Sequence, residues 1–296
     1  MAHARTYNSI LDLVGNTPLI RIDGIYAKLE TTNPTGSVKD RMVRYMIEQA
    51  EMRGELRQGD KIIEVTSGNT GIAFAMISAL RGYRFTAVMP ESMSVERRKM
   101  MYAFGANIVL TPAEEDMTGA VKKYNELVAK NPDAWLPKQF ENLDNIAAHK
   151  RGTGKEIIEQ MAGKVDAFVA GIGTGGTLLG VAQALRESNS VAKVIGVEPT
   201  ESAVLSGKRA GLHRIQGIGE GFIPKIVADN RNLIDEIIEI KDSDAIAASK
   251  QLATQHGLLV GISSGANFLA AKIASKKYKN VVTIFSDRGE RYLNGE

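Results

Sequence analysis

Short apolar runs alternate along this chain with stretches of helical period. Strand candidates are 25–30, 61–65, 84–89, 107–110, 166–170, 192–198, 233–240 and 281–286. Between most of them fall helical stretches near 38–53, 71–81, 94–104, 117–130, 144–161, 176–187, 242–256 and 265–277. Strand–helix alternation of this kind predicts an α/β fold: two open, mainly parallel sheets, each covered on both faces by helices. The segment "KNPDAWLPKQFENLDN" at 130–145 interrupts the rhythm with two prolines and the sole tryptophan. It marks the expected boundary between a smaller unit, 36–142, and a larger one made of 1–35 with 143–296. Ligands of open α/β sheets bind beyond the carboxyl ends of the strands. Three small-residue loops fall at such places: "TSGNTG" (66–71), "GIGTGG" (171–176) and "GISSGA" (261–266).

Composition narrows the field. A chain of 296 residues is long enough for about two domains. Its 44% hydrophobic and 24% charged content is that of a soluble globular protein. The formal charge of +3 is spread in mixed sign, with no basic tract, so no nucleic-acid partner is expected. The absence of cysteine excludes disulfides, thiolate metal sites and a cysteine nucleophile. Four scattered histidines form no metal-binding pair, and no metal is expected. No apolar run approaches the ~20 residues of a membrane span, and the start lacks a signal core. The expectation is a cytoplasmic protein with no membrane contact.

The loop "GIGTGG" leads from a strand into a helix, where glycines admit a close ligand and helix N–H groups attract a phosphate. A phosphate site at Gly173 to Thr177 follows. Which phosphate stays open, because Gly171, Gly173 and Gly176 also satisfy G-x-G-x-x-G. Glu198 stands near the distance of a ribose-binding acid, so a dinucleotide-dependent oxidoreductase remains a competitor. In "TSGNTG", Thr66, Ser67, Asn69 and Thr70 gather hydroxyls and donors at one helix start. Such a nest suits a carboxylate, or simply caps the helix well.

"NPTGSVKDR" at 33–41 poses the sharper chemical question. Ser37 resembles an N-cap and Asp40 the acid of a capping box, ahead of the apolar stripe Val38, Met42, Val43, Met46, Ile47 and Ala50. Lys39 therefore sits in the first helical turn, where the helix dipole disfavours an ammonium. A base or Schiff-base lysine works near pH ~7–8 against a free value of ~10.4, a shift worth roughly 3–4 kcal/mol. The dipole supplies at most ~2 kcal/mol, so burial must supply the rest. A lysine of this kind beside a phosphate cradle points to pyridoxal 5′-phosphate, which is held by both. A lysine that merely snorkels to solvent is the alternative.

The motifs "VGNTPLIRI", "NPTGSVKDR", "EVTSGNTGIAFAM", "GIGTGGT", "IQGIGEGFIP", "GISSGA" and "SDRGERYL" occur in the order and spacing of the fold-type II pyridoxal-phosphate enzymes. The chain most resembles the cysteine synthases (O-acetylserine sulfhydrylases) and the catalytic core of cystathionine β-synthase, over nearly its whole length. The resemblance implies a tryptophan synthase β-like fold with Lys39 as the Schiff-base lysine. It implies Asn69 at the cofactor's 3′-oxygen, and Gly173, Thr174, Gly175, Gly176 and Thr177 at its phosphate. Ser263 would meet the pyridine nitrogen and Gly217 would lie beside the cofactor. Thr66, Ser67, Thr70 and Gln139 would bind the substrate carboxylate. A serine hydroxyl at the ring nitrogen makes a weaker electron sink than a carboxylate partner, which favours elimination and replacement at Cβ. The implied reaction joins O-acetyl-L-serine and sulfide through an aminoacrylate to give L-cysteine. A homodimer, and docking of a serine acetyltransferase C-terminal tail, are further implications.

Two departures qualify the match. Glu220 stands where cysteine synthases usually carry a small residue and cystathionine β-synthases an aromatic one. Facing the site, it would repel hydrosulfide and assist a poor leaving group. The alternative expectation is therefore L-cysteine or L-serine as donor, releasing hydrogen sulfide and forming serine, lanthionine or cystathionine. The stretch "AAHKRGTGKEI" (147–157) lacks an aromatic at 150 and a proline at 155 that the family often shows. Haem-binding and regulatory extensions are expected to be absent.

Overall fold

In a computed structural model that describes residues 6–66 and 68–295, the strands sort into two sheets. The strands are β1 (Leu19–Ile22), β2 (Ile25–Leu29), β3 (Lys61–Val65), β4 (Arg84–Pro90) and β5 (Asn107–Thr111). They continue with β6 (Ala167–Gly171), β7 (Lys193–Pro199), β8 (Glu236–Ile240) and β9 (Val281–Phe285). The larger sheet has the order β1-β2-β9-β6-β7-β8 and is parallel except for the β1–β2 pair. The smaller, β3-β4-β5, is wholly parallel. The α/β architecture of two mainly parallel, helix-covered sheets expected from the alternation is the one observed.

Local sequence explains most boundaries. Helices Gly176–Glu187 and Asp242–His256 span the expected residues, and the latter ends on Gly257 in the left-handed conformation. Three details differ. First, β1 escaped the pattern because it is only four residues long, but the "DG" at Asp23–Gly24, both at positive φ, is a two-residue hairpin signal that marks it. Second, the single helix expected over 144–161 is divided. Asp144–His149 and Lys155–Gln160 flank a wider π-type turn at Lys150–Gly154, an inserted winding that leaves the apolar period readable on either side. Third, the capping box at the start of Lys39–Met52 does not form. Ser37 Oγ does accept the Lys39 N–H at 3.3 Å, but Asp40 turns back to accept from the backbone N–H of Thr35 at 2.7 Å and from its hydroxyl. Burial pushes the Asp40 carboxyl up to about 6 against the pull of those hydrogen bonds.

The strand order positions the ligand crevice. β6 and β9 are neighbours, yet helix Gly176–Glu187 packs its Leu178, Leu179 and Val181 on one face of the sheet. Helix Ile262–Ala274 packs Ala266, Phe268 and Ala270 on the other. The chain thus leaves β6 and approaches β9 on opposite faces, and a crevice opens beyond their carboxyl ends. Around the smaller sheet, helices Lys39–Met52 and Asn69–Arg81 bury Met42, Met46, Ile47, Ile72 and Phe74 in one core. Trp135 joins that sheet's edge, with its N–H donating to Lys61 O at 2.9 Å and its carbonyl accepting from the Ile63 N–H at 3.2 Å. No described helix is long and apolar enough to cross a membrane.

Candidate active site

Lys39 opens its helix directly behind a splice between two chain segments. The Val38 N–H donates to Ser286 O at 2.8 Å, and Ser37 bridges to Asp287, just past the end of β9. The helix start is therefore fixed at the carboxyl edge of the larger sheet. The residue as a whole is half-buried, while protein crowds the amine itself. Among the described residues the amine has no hydrogen-bond or ion-pair partner. Burial lowers its pKa, opposed by the charges of Glu220 and Asp287. An amine held this way spends more of its time neutral, which is the nucleophilic and basic form.

One cleft is lined by Lys39, Asn69, Gly173, Thr174, Gly175, Thr177, Gly217 and Ser263. Gly176 lies just behind this lining as the first residue of its helix, whose opening N–H groups have no intrahelical acceptor. Gly217, at φ 90°, has open space where a Cβ would stand. Gly173 backs closely on the same turn, since a Cβ there would lie 2.3 Å from Gly217 O. Ser263 lies in the first turn of helix Ile262–Ala274.

Thr66, Thr70 and Gln139 are buried off that lining, and the Thr70 hydroxyl donates to Gln139 Oε1 at 2.9 Å. Ser67 lies outside the described residues. Buried Glu64 accepts from the Lys138 N–H at 3.0 Å and so anchors the segment that carries Gln139; burial raises its pKa to about 8. Glu220 faces inward. Its Oε1 is 3.6 Å from where a Gly173 Cβ would be, and its residue keeps an exposed flank although protein crowds the carboxyl. Burial raises the Glu220 pKa, opposed by Lys39 and His213.

Several residues of the site carried no sequence signal of their role. The Asn69 side chain is held at both ends: its Nδ2 donates to Asp287 Oδ2 at 2.6 Å, and its Oδ1 accepts from Arg291. Arg291 also donates to Thr35 O, and the Tyr292 hydroxyl donates to Asp287. "SDRGERYL" thus ties the start of helix Asn69–Arg81 to the end of β9. Glu198, the would-be ribose acid, is buried and engaged elsewhere. It accepts from the N–H groups of Leu205 and Ser206 at 2.8 and 3.1 Å.

A crevice at a parallel-sheet switch point, a glycine cradle opening onto a helix start and a free, depressed lysine define an enzyme class. It grips a phosphorylated ligand beside an amine that can condense with it. Among the described residues the Lys39 amine has no partner, and it shares the cleft with a turn that opens onto the free N–H groups of helix Gly176–Glu187, so the donors present fit an aldehyde and a phosphate, as in pyridoxal phosphate. The family model described as "Pyridoxal-phosphate dependent enzyme" matches residues 10–287, and the chain belongs to that family. It is 46% identical to Cysteine synthase B of Campylobacter jejuni, covering 98% of both chains. Its fold matches the solved cysteine synthase of Entamoeba histolytica at a TM-score of 0.95 and 43% identity, over 100% of this chain and 91% of that one. A hydrogen sulfide-producing enzyme from Fusobacterium nucleatum matches at a TM-score of 0.93 and 41% identity, over 98% and 99%. The cofactor is therefore pyridoxal phosphate, and the dinucleotide alternative is set aside.

Proposed function

We propose that this chain makes L-cysteine from O-acetyl-L-serine and sulfide by β-replacement. The observation that carries the reading is the Lys39 amine, without a partner among the described residues, in the same cleft as the Gly173–Thr177 turn and Ser263. Full-length likeness to Cysteine synthase B supports the choice of substrates. When bound, pyridoxal phosphate supplies the electron sink that stabilises negative charge at the substrate's Cα. Lys39 would hold the cofactor, and its amine is the group that would remove the α-proton and later return it. Its lowered pKa suits the removal, and its position at the helix start keeps it within reach. Thr66, Ser67, Thr70 and Gln139 would bind the substrate carboxylate; Ser263 would meet the pyridine nitrogen without a charge, and Asn69 the 3′-oxygen. Borohydride reduction of the native holoenzyme followed by digestion tests the core of this reading. The fragment containing Lys39 must carry the added mass, and an unlabelled fragment sinks the assignment.

A second reading rests on Glu220. A carboxyl beside Gly173 that carries a proton can give it to a poor leaving group, and as a carboxylate it repels hydrosulfide. L-cysteine or L-serine as donor, with hydrogen sulfide released from the former, then becomes the favoured chemistry. Likeness to the Fusobacterium hydrogen sulfide-producing enzyme supports this. Glu220→Ala should shift the donor preference toward O-acetylserine, and an unchanged donor and acceptor profile removes the idea. We propose further a division into 36–142 and 1–35 with 143–296, supported by the membership of the two sheets. A cytoplasmic homodimer that docks a serine acetyltransferase tail is supported by family resemblance, and sedimentation with and without the tail peptide tests it.

A further inference from the structure

The short helix Asp144–His149 presents two polar side chains, Asn145 and His149, at i and i+4 on one face. Both are buried, and each reaches a threonine of the phosphate turn. Asn145 Nδ2 donates to Thr174 Oγ1 at 3.0 Å and to Gln139 O at 2.8 Å. The Gln139 carbonyl can only accept, so it fixes which end of the amide is the donor. Thr174 Oγ1 also accepts the Gly176 N–H at 3.3 Å. Both acceptor positions of that hydroxyl are filled, and among the described residues its proton has no acceptor. On the other side, His149 Nε2 meets Thr177 Oγ1 at 3.3 Å while Nδ1 meets Thr153 Oγ1, in the π-type turn, at 2.9 Å.

We propose that Asn145 and His149 are positioning residues that set the Thr174 and Thr177 hydroxyls as donors toward the cofactor phosphate. The proposal rests on the reading that the 173–177 turn holds that phosphate. A phosphate at neutral pH offers almost only acceptors, so Thr177 must point its proton outward and accept from behind. His149 is then the Nε2–H tautomer, with Nδ1 accepting from Thr153. Burial, with Arg41 and Lys39 nearby, keeps the imidazole pKa well below its usual value, so the ring is neutral as this chain of donors requires. The π-type turn acquires a purpose here, because it delivers Thr153 to the far side of the ring.

The test compares binding of pyridoxal 5′-phosphate and of pyridoxal, which lacks the phosphate, to the full chain freed of cofactor. His149→Phe should weaken pyridoxal phosphate by about tenfold or more and leave pyridoxal unchanged. His149→Gln, whose amide can still donate, should restore much of the preference. Equal loss for both ligands, or no rescue by glutamine, overturns the proposal. Should the phenylalanine variant fail to fold, nitrogen NMR of His149 in the wild-type holoenzyme decides. Nε2 protonated supports the proposal and Nδ1 protonated overturns it. Thr177→Val probes the underlying reading separately. If it leaves the preference for the phosphorylated ligand intact, the phosphate-turn assignment itself fails and this proposal falls with it.

Discussion

Alanine at Gly175 tests how much of the 173–177 turn is dictated by backbone and how much by packing. Gly175 has φ +89°, and a Cβ there would stand 2.2 Å from Val227 Cγ2. Val227 is fully buried and β-branched, so it has little rotamer freedom with which to retreat. Left-handed backbone costs a non-glycine residue about 1–2 kcal/mol, and overpacking of a filled core adds about 1–3 kcal/mol. Gly175→Ala should therefore destabilise by roughly 2–5 kcal/mol. Gly217→Ala is the matched control: it has φ +90° and no atom within 4 Å of its Cβ position. It should lose only the backbone share, about 1–2 kcal/mol. Urea denaturation of both variants, free of cofactor and followed by far-ultraviolet circular dichroism, reads the difference. Pyridoxal phosphate affinity should fall for Gly175→Ala as well, because relief of the clash moves the turn. Equal destabilisation of the two variants would refute the packing argument.

Two further outcomes concern buried charge. Glu64, with its pKa raised to about 8 in the fold against an ordinary 4.5, binds a proton in the native state that the unfolded chain has lost between those values. Its stabilisation is complete below pH ~4.5 and is lost as pH rises toward ~8, at up to ~1.4 kcal/mol per pH unit. Glu64→Gln should flatten that slope in denaturation midpoints measured across the range, and an unchanged slope contradicts the assignment. Glu156 holds Lys28 Nζ and Arg41 Nη1, each at 2.6 Å, two cations that are almost fully buried. Glu156→Ala leaves them short of a partner and should cost about 3–5 kcal/mol in the same assay, and a loss below ~1 kcal/mol would deny the pairing its role.

Much of this protein was legible without coordinates because the signals are local. Period-two and helical patterns report burial along a few turns of chain, and they marked most strands and helices to within a residue or two. Lys39 was conspicuous because a cation in a first helical turn contradicts the dipole, and the Gly173–Thr177 turn because glycines before a helix have a restricted use. Other features depended on partners far away in sequence. Asp40 abandons the capping box because the tight turn at Thr35 offers it two donors, a choice between acceptors that periodicity does not encode. The grip of Arg291 and Asp287 on Asn69 joins residues more than two hundred positions apart, and only the meeting of two sheets creates it. The π-type turn at Lys150–Gly154 preserves the apolar pattern around it, so only packing reveals that it presents Thr153 to His149. Sequence alone singled out the candidate residues for chemistry and the order of most elements. Tertiary structure decided which atoms hold those residues in place, since hydrogen-bond partners are chosen by proximity in the folded core.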